Sequence, residues 1–299
     1  MNAVLKGYLS LMRPANLPTA AADIFAGMAI AGVFADFSSS NFGFLFTQDP
    51  LMLIVSSVML YAGGVVLNDV FDFELDKIER PERAIPSGLI PLKSAAIFGS
   101  ILLLTGIVSA YTVSNLSGSI AVILTIFILS YDYYAKHKLV LGPINMGICR
   151  GLNLLLGISI LGTVHSLEFT IIPVIYIAAI TLISKGEVHG DNKSHIVFAG
   201  VLYALVLGLI AGFVFFKTEN ILQTLPFLAL LAFLIFRPLR NAYKVNSPQN
   251  IKKAVMGGVL SLIILDATIA VGFSHFFMGI LIILLLPLSM FLSRLFAVT

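Results

Sequence analysis

The chain is 299 residues long, with 59% hydrophobic and 11% charged residues and a formal net charge of +3. An ordinary soluble domain carries about a quarter charged residues, so that class is excluded and an integral membrane protein is expected. No basic patch with interleaved aromatics points to nucleic acid, and a single cysteine, Cys149, excludes an intrachain disulfide.

Apolar segments are expected at about 16–34, 51–67, 93–113, 117–134, 141–163, 169–184, 195–216, 221–236, 254–273 and 276–293. Most reach the roughly 17 to 25 residues that a spanning helix needs. The segments at 117–134 and 221–236 are short, and Ser274-His275 is a tight link, so nine to ten transmembrane helices are expected. If Lys6 and Arg13 lie on the cytoplasmic side, ten crossings put every other Lys and Arg there except Lys217, outside, and Arg150, within a helix. Positive residues concentrate on the cytoplasmic side, so both termini are expected inside. Arg294 alone separates ten from nine. No short cleavable signal precedes the first segment, which is expected to stay as an anchor in a bacterial inner membrane.

In chain order, residues 1–15 read as an amphipathic lead-in ending at Arg13-Pro14. The first segment carries Asn16, Thr19 and Asp23, and an aspartate costly in lipid is expected to face the bundle interior. The second segment runs into Asn68-Asp69-Val70-Phe71-Asp72-Phe73-Glu74-Leu75-Asp76. If the helix continues, Asn68, Asp72 and Asp76 share one side. Their oxygens suit Mg²⁺, which usually completes its shell with water and substrate phosphate. Arg80, Arg83 and Gly88 follow; the fourth segment then ends in Tyr131-Asp132-Tyr133-Tyr134-Ala135-Lys136, where Lys136 either enforces orientation or reaches back over a polar mouth.

The fifth segment holds Asn145, Arg150 and Asn153, and a buried arginine needs a partner or a watery cavity. Asp23 and Asp266 are both possible partners, and a structural ion pair or a substrate-facing role are both open. The sixth segment ends in Lys185-Gly186-Glu187-Val188-His189-Gly190-Asp191, so Glu187 and Asp191 repeat the four-residue spacing four crossings after the first cluster. That echo suggests two related four-helix halves, about 16–138 and 141–240, around a central cavity, with extra C-terminal helices at 254–293, in one domain spanning 1–299. His189 reads as a loop residue and is, with Asp132, a candidate general base. The stretch from Arg237 to Lys253 reads as a long basic loop that covers the acidic mouth or touches anionic lipid.

Two acidic helix ends facing one mouth suit Mg²⁺ ions holding a diphosphate, with Lys136, Arg83 and Lys185 or Lys193 neutralising its remaining oxygens. An apolar interior beneath suits the tail of a prenyl diphosphate. Ionisation of the allylic carbon–oxygen bond would leave a cation for the faces of Tyr131, Tyr134, Phe71 or Phe73.

Asn68-Asp69, Asp72 and Asp76 match the N-D-x-x-D-x-x-x-D motif of the UbiA superfamily of intramembrane prenyltransferases, which the chain resembles over most of its length. Arg80 to Gly88 is similar to that family's R-P-x-x-S-G segment, Tyr131 to Lys136 to its Y-x-x-x-K stretch, and Glu187 to Asp191 to its second aspartate motif. The resemblance implies that Asn68, Asp72, Asp76, Glu187 and Asp191 bind Mg²⁺ and diphosphate, and that Arg83 and Lys136 contact the diphosphate. The expected site adds Tyr131, Asn16, Arg80, Lys185 and Arg150. Glu187 stands where aspartate is usual, and Ala84 where proline is. Leu11 to Asn16, Pro86-Ser87-Gly88 and Lys185 to Gly190 resemble most the divergent EboC subgroup, associated with secondary metabolism.

The leading expectation is therefore Mg²⁺-dependent prenyl transfer to an aromatic or other lipophilic acceptor, at a cytoplasmic-facing site. The alternative is a non-catalytic component that holds or exports a prenyl-diphosphate or lipid precursor. A secondary transporter would leave the paired acidic clusters on one side without a reason, and the aspartate signature of CDP-alcohol phosphotransferases is missing.

Overall fold

A computed structural model describes residues 2–34, 42–138, 140–187 and 190–296. His189, one of the two general-base candidates, lies outside the described residues.

A surface helix α1 (Ala3–Leu11) precedes a turn at Pro14–Asn16 and the first membrane helix α2 (Leu17–Ile30). Then come α3 (Gln48–Phe71), the short α4 (Phe73–Glu79), α5 (Leu92–Val113), α6 (Asn115–Tyr133), α7 (Leu141–Ile158) and α8 (Ile171–Ser184). The remainder is α9 (Lys193–Lys217), α10 (Ile221–Lys244), α11 (Pro248–Leu260), α12 (Leu262–Phe273), α13 (Phe276–Ile283) and α14 (Leu285–Leu295). Among the described residues nine helical stretches are long and apolar enough to span, from Gln48–Phe71 to Phe276–Leu295. The 14-residue α2 adds a shorter buried one, so all ten apolar segments are helical.

Successive helices pack as neighbours, and α12 returns to lie against α2, which closes the ring. Ser289 of α14 donates to the Ala15 carbonyl at 2.5 Å and ties the C-terminal helix to the turn that starts α2. Lipid offers no hydrophobic drive between helices, so close packing through small residues holds them together. In one close seam, between α2 and α7, backbone meets backbone. A Cβ on Gly27 would lie 2.4 Å from the Leu154 carbonyl oxygen, and one on Gly157 2.6 Å from that of Ile24.

Two expectations are corrected. The stretch 237–253 is not a loop: α10 runs to Lys244 through Pro226 and Pro238, and α11 starts at Pro248. A proline inside a membrane helix is tolerated where a neighbour covers the gap it leaves, and Gly257 of α11 packs directly against Pro238. The helix carrying the first acidic cluster breaks at Asp72 (φ −85°, ψ 4°) and resumes as α4. Because Asp72 N–H still donates to the Asn68 carbonyl (3.0 Å) and Asp76 N–H to that of Asp72 (2.8 Å), the four-residue spacing survives the break.

Candidate active site

A cavity of about 370 Å³ opens among α2, α3, α6 and α7, with Asn68, Tyr131 and Asp132 toward one end and Arg150 and Asn153 deeper in. Its walls are apolar, with Leu60, Leu124, Ile128 and Leu262 among them. Such a vessel suits a hydrocarbon chain with a polar head.

At the acidic end every carboxylate of the first cluster already has a cation. Lys136 Nζ lies 2.6 Å from Asp72 Oδ1, and Arg83 Nη1 lies 2.8 Å from Asp76 Oδ2 and 3.4 Å from Asp69 Oδ1. Arg13 Nη2 reaches the same Asp69 oxygen at 2.7 Å. A second, small core sets up these contacts. Leu11, Ile85 and Ile90 are buried in it, so α1 and the segment after α4 are pinned over the end of α3. Gly88 (φ 78°) lets that segment turn back, with Ile90 N–H donating to the Ala84 carbonyl at 2.9 Å. Arg13 itself sits in the left-handed region (φ 48°), uncommon for such a residue, where α1 ends and Pro14 begins.

Asn68 Nδ2 donates to Asp132 Oδ1 at 2.8 Å. A carboxylate only accepts, so this bond fixes the amide and leaves Asn68 Oδ1 facing away from Asp132. Asn68, Asp72 and Asp76 thus present oxygens alone, a set that fits a hard cation and offers nothing to a soft one. Among the described residues no three His, Cys, Asp or Glu side chains converge as a metal cluster.

The second acidic stretch makes its contacts with α11 and the residues before it. Asn192 N–H donates to Asn246 Oδ1 at 3.0 Å, and Asn246 Nδ2 to Asn192 Oδ1 at 3.3 Å. Burial pushes the Glu187 carboxyl above the usual glutamate value, and Lys252 of α11 pulls it partly back. Asp191 is exposed and left-handed (φ 53°). Arg80, Lys185 and Lys193 are also exposed. Asn16 lines the cavity.

Of the four aromatic candidates, Tyr131 alone lines the cavity. Phe71 packs edge-on against Tyr133 at the surface, Phe73 carries Lys77 over its ring at 4.1 Å, and Tyr134 lies beneath Lys138. Tyr131 and Tyr134 would share a side if α6 continued, but the helix ends at Tyr133 and Tyr134 (φ −133°, ψ −51°) leaves it. Tyr61, also lining the cavity, was not singled out by sequence because a lone tyrosine in an apolar run carries no signal.

Deeper in, Arg150 takes both partners that sequence left open. Its Nε lies 2.9 Å from Asp23 Oδ2 and its Nη2 3.5 Å from Asp266 Oδ2. Nη1 and Nη2 also donate to Thr19 Oγ1 (3.1 Å) and the Thr19 carbonyl (2.8 Å). Asn153 Nδ2 donates to the Ala20 carbonyl (3.1 Å) and to Asp23 (2.7 Å). Three helices, α2, α7 and α12, meet in this network.

A profile of the UbiA prenyltransferase family matches residues 24–263. The digeranylgeranylglyceryl phosphate synthase of Methanococcoides burtonii is 35% identical over 158 residues, 53% of this chain and 56% of the relative. That of Sulfolobus acidocaldarius is 32% identical over 195 residues, 64% and 66%. The chain thus spans between about half and two thirds of the length of these curated relatives. Among solved structures, a digeranylgeranylglyceryl phosphate synthase aligns with a TM-score of 0.66 at 24% identity, covering 91% of this chain and 99% of the other. A UbiA homologue from Archaeoglobus fulgidus bound to DMAPP and Mg²⁺ aligns with a TM-score of 0.63 at 14% identity, covering 84% and 98%. These likenesses describe the same fold.

Proposed function

The chain belongs to the UbiA prenyltransferase family, and from that premise we propose that it transfers a prenyl group from a prenyl diphosphate to a lipophilic acceptor in the membrane. One observation carries the reading. Two carboxylates at the mouth of an apolar cavity, Asp72 and Asp76, are each clasped by a cation, Lys136 and Arg83, able to exchange a carboxylate for a phosphate.

Asn68, Asp72 and Asp76 would hold Mg²⁺, the ion present with DMAPP in the Archaeoglobus homologue. When bound, that ion supplies the positive charge that weakens the allylic carbon–oxygen bond. Glu187 and Asp191 are proposed as the ligands of the second half of the site. Lys136 and Arg83, with Arg80 and Lys185 at the exposed rim, take the diphosphate oxygens as charge grows on the leaving group. Tyr131 presents its ring to the carbon that becomes cationic. The apolar walls exclude water, so the acceptor oxygen or ring carbon attacks instead. The allylic C–O bond breaks, the diphosphate leaves with the electron pair, and the acceptor gives up one proton as the new bond forms. The mouth opens on the cytoplasmic side, where the sequence concentrates Lys and Arg.

The test uses the purified full chain in detergent with Mg²⁺, labelled prenyl diphosphates of several lengths and a panel of acceptors. Diphosphate release that depends on acceptor and is lost in Asp72→Ala supports transfer. Mg²⁺-dependent diphosphate binding with no turnover on any acceptor would instead support a holder of prenylated precursors, the reading favoured if Glu187 and Asp191 stay apart from the first cluster.

A further inference from the structure

We propose that the acceptor's polar end, where it enters this cavity, is uncharged and carries a hydroxyl or carbonyl oxygen, and that it docks on Arg150 and Asn153. This rests on the prenyl-transfer reading and names the acceptor class for that same site.

The charge inventory of the cavity carries it. The cations lining the cavity are Arg13 and Arg150. Arg13 is matched by Asp69 at 2.7 Å. Arg150, 9% exposed, faces Asp23 and Asp266, 1% and 2% exposed. One guanidinium thus faces two carboxyl groups, so its charge is already matched. The lining carboxyl, Asp132, is itself acidic, and one of its oxygens has no partner among the described residues. A carboxylate or phosphate carried into this space finds no spare cation. An unpaired ion in an apolar interior is costly enough to decide between ligands.

The polar atoms left over are a neutral pair. Arg150 has five N–H groups. Three are hydrogen-bonded, to Asp266 and the two oxygens of Thr19, and Nε stands against Asp23 as an ion pair without hydrogen-bond geometry, which leaves one N–H on Nη1. Both amide hydrogens of Asn153 are committed to the Ala20 carbonyl and Asp23, which leaves its Oδ1 as an acceptor. One donor and one acceptor from two residues lining the same cavity match a hydroxyl, and the donor alone matches a carbonyl. A buried site of this kind rejects a ligand that leaves its atoms unpaired.

The measurement is equilibrium binding to the full chain in detergent, with Mg²⁺ and inorganic diphosphate present to occupy the mouth and no prenyl donor. Two matched pairs serve as probes: hydroquinone against 2,5-dihydroxybenzoate, and an alkylglycerol against its phosphate. The expected result is that the neutral member of at least one pair binds about tenfold or more tighter than its anionic partner. The double variant Asp23→Asn/Asp266→Asn frees the charge of Arg150 and shifts the preference toward the anionic member. The single variant Asp266→Asn leaves one carboxylate on Arg150 and keeps the preference. Equal or tighter binding of the anionic members by the unaltered protein, or binding of neither member in both pairs, overturns the proposal. Because no prenyl donor is present, a protein that never releases diphosphate sinks the transfer reading without deciding this one.

Discussion

At Asp72 and Asp76 the proposed metal ligands pair directly with the proposed phosphate ligands. Each carboxylate has the charge a cation needs, and each is held by the residue that would serve the phosphate. Asp72→Ala and Lys136→Ala are each expected to lower Mg²⁺-dependent diphosphate release on the order of 10²- to 10³-fold. The Lys136 variant should retain Mn²⁺ binding, read by electron paramagnetic resonance, while the Asp72 variant loses it. As a proposed metal ligand, Glu187 would set a pH limit. Burial raises its carboxyl above the ordinary value, so the charged form a metal requires is lost as pH falls through that raised value. The acid limb of the kcat/KM profile should therefore lie above the ordinary glutamate value. Lys252→Ala removes the opposing cation and should move that limb to still higher pH. An unmoved limb would show that Glu187 takes no part. The four-residue spacings of both acidic stretches were legible in the sequence, whereas Asp132 as the group that orients Asn68 was not, since 64 positions separate them.

Between elements, the α2–α7 seam fixes where Arg150 stands relative to Asp23. Gly157→Ala would set a Cβ 2.6 Å from the Ile24 carbonyl oxygen and 2.9 Å from its Cα, atoms that cannot rotate away. The helices must separate, at a cost of about 1 to 3 kcal/mol or more. A lowered thermal midpoint in detergent, together with weaker acceptor binding, is the expected outcome. Gly208, with nothing within 4 Å of an added Cβ, is the control, and Gly208→Ala should leave the midpoint unchanged or higher. Arg150→Leu removes the shared partner of Asp23 and Asp266 and is expected to cost about 3 to 5 kcal/mol. The helix elements themselves were legible as apolar runs. Their ends were less so: the stretch from Arg237 reads as a loop, yet α10 passes through Pro238 because α11 covers the gap.

Over the whole molecule, charge asymmetry implies a direction in the membrane. Lys217, the one cation expected outside, pairs with Glu168 across the ends of α9 and α8 and lies 5.4 Å over the Phe169 ring. After Cys149→Ala, a cysteine at Lys217 should react with a membrane-impermeant maleimide from the outside only, and one at Lys138 from the inside only. The reverse pattern would invert the mouth of the cavity. Amino-acid order by itself determined the membrane class, the helical segments and the residue types at the acidic mouth, because hydropathy and four-residue spacing are local properties. Tertiary structure alone decided that Arg150 takes both Asp23 and Asp266, that Tyr131 is the candidate ring turned inward, and that the second acidic stretch leans on α11. Those outcomes depend on which helices become neighbours when the ring closes, and pairing between distant segments leaves no periodic mark in either one.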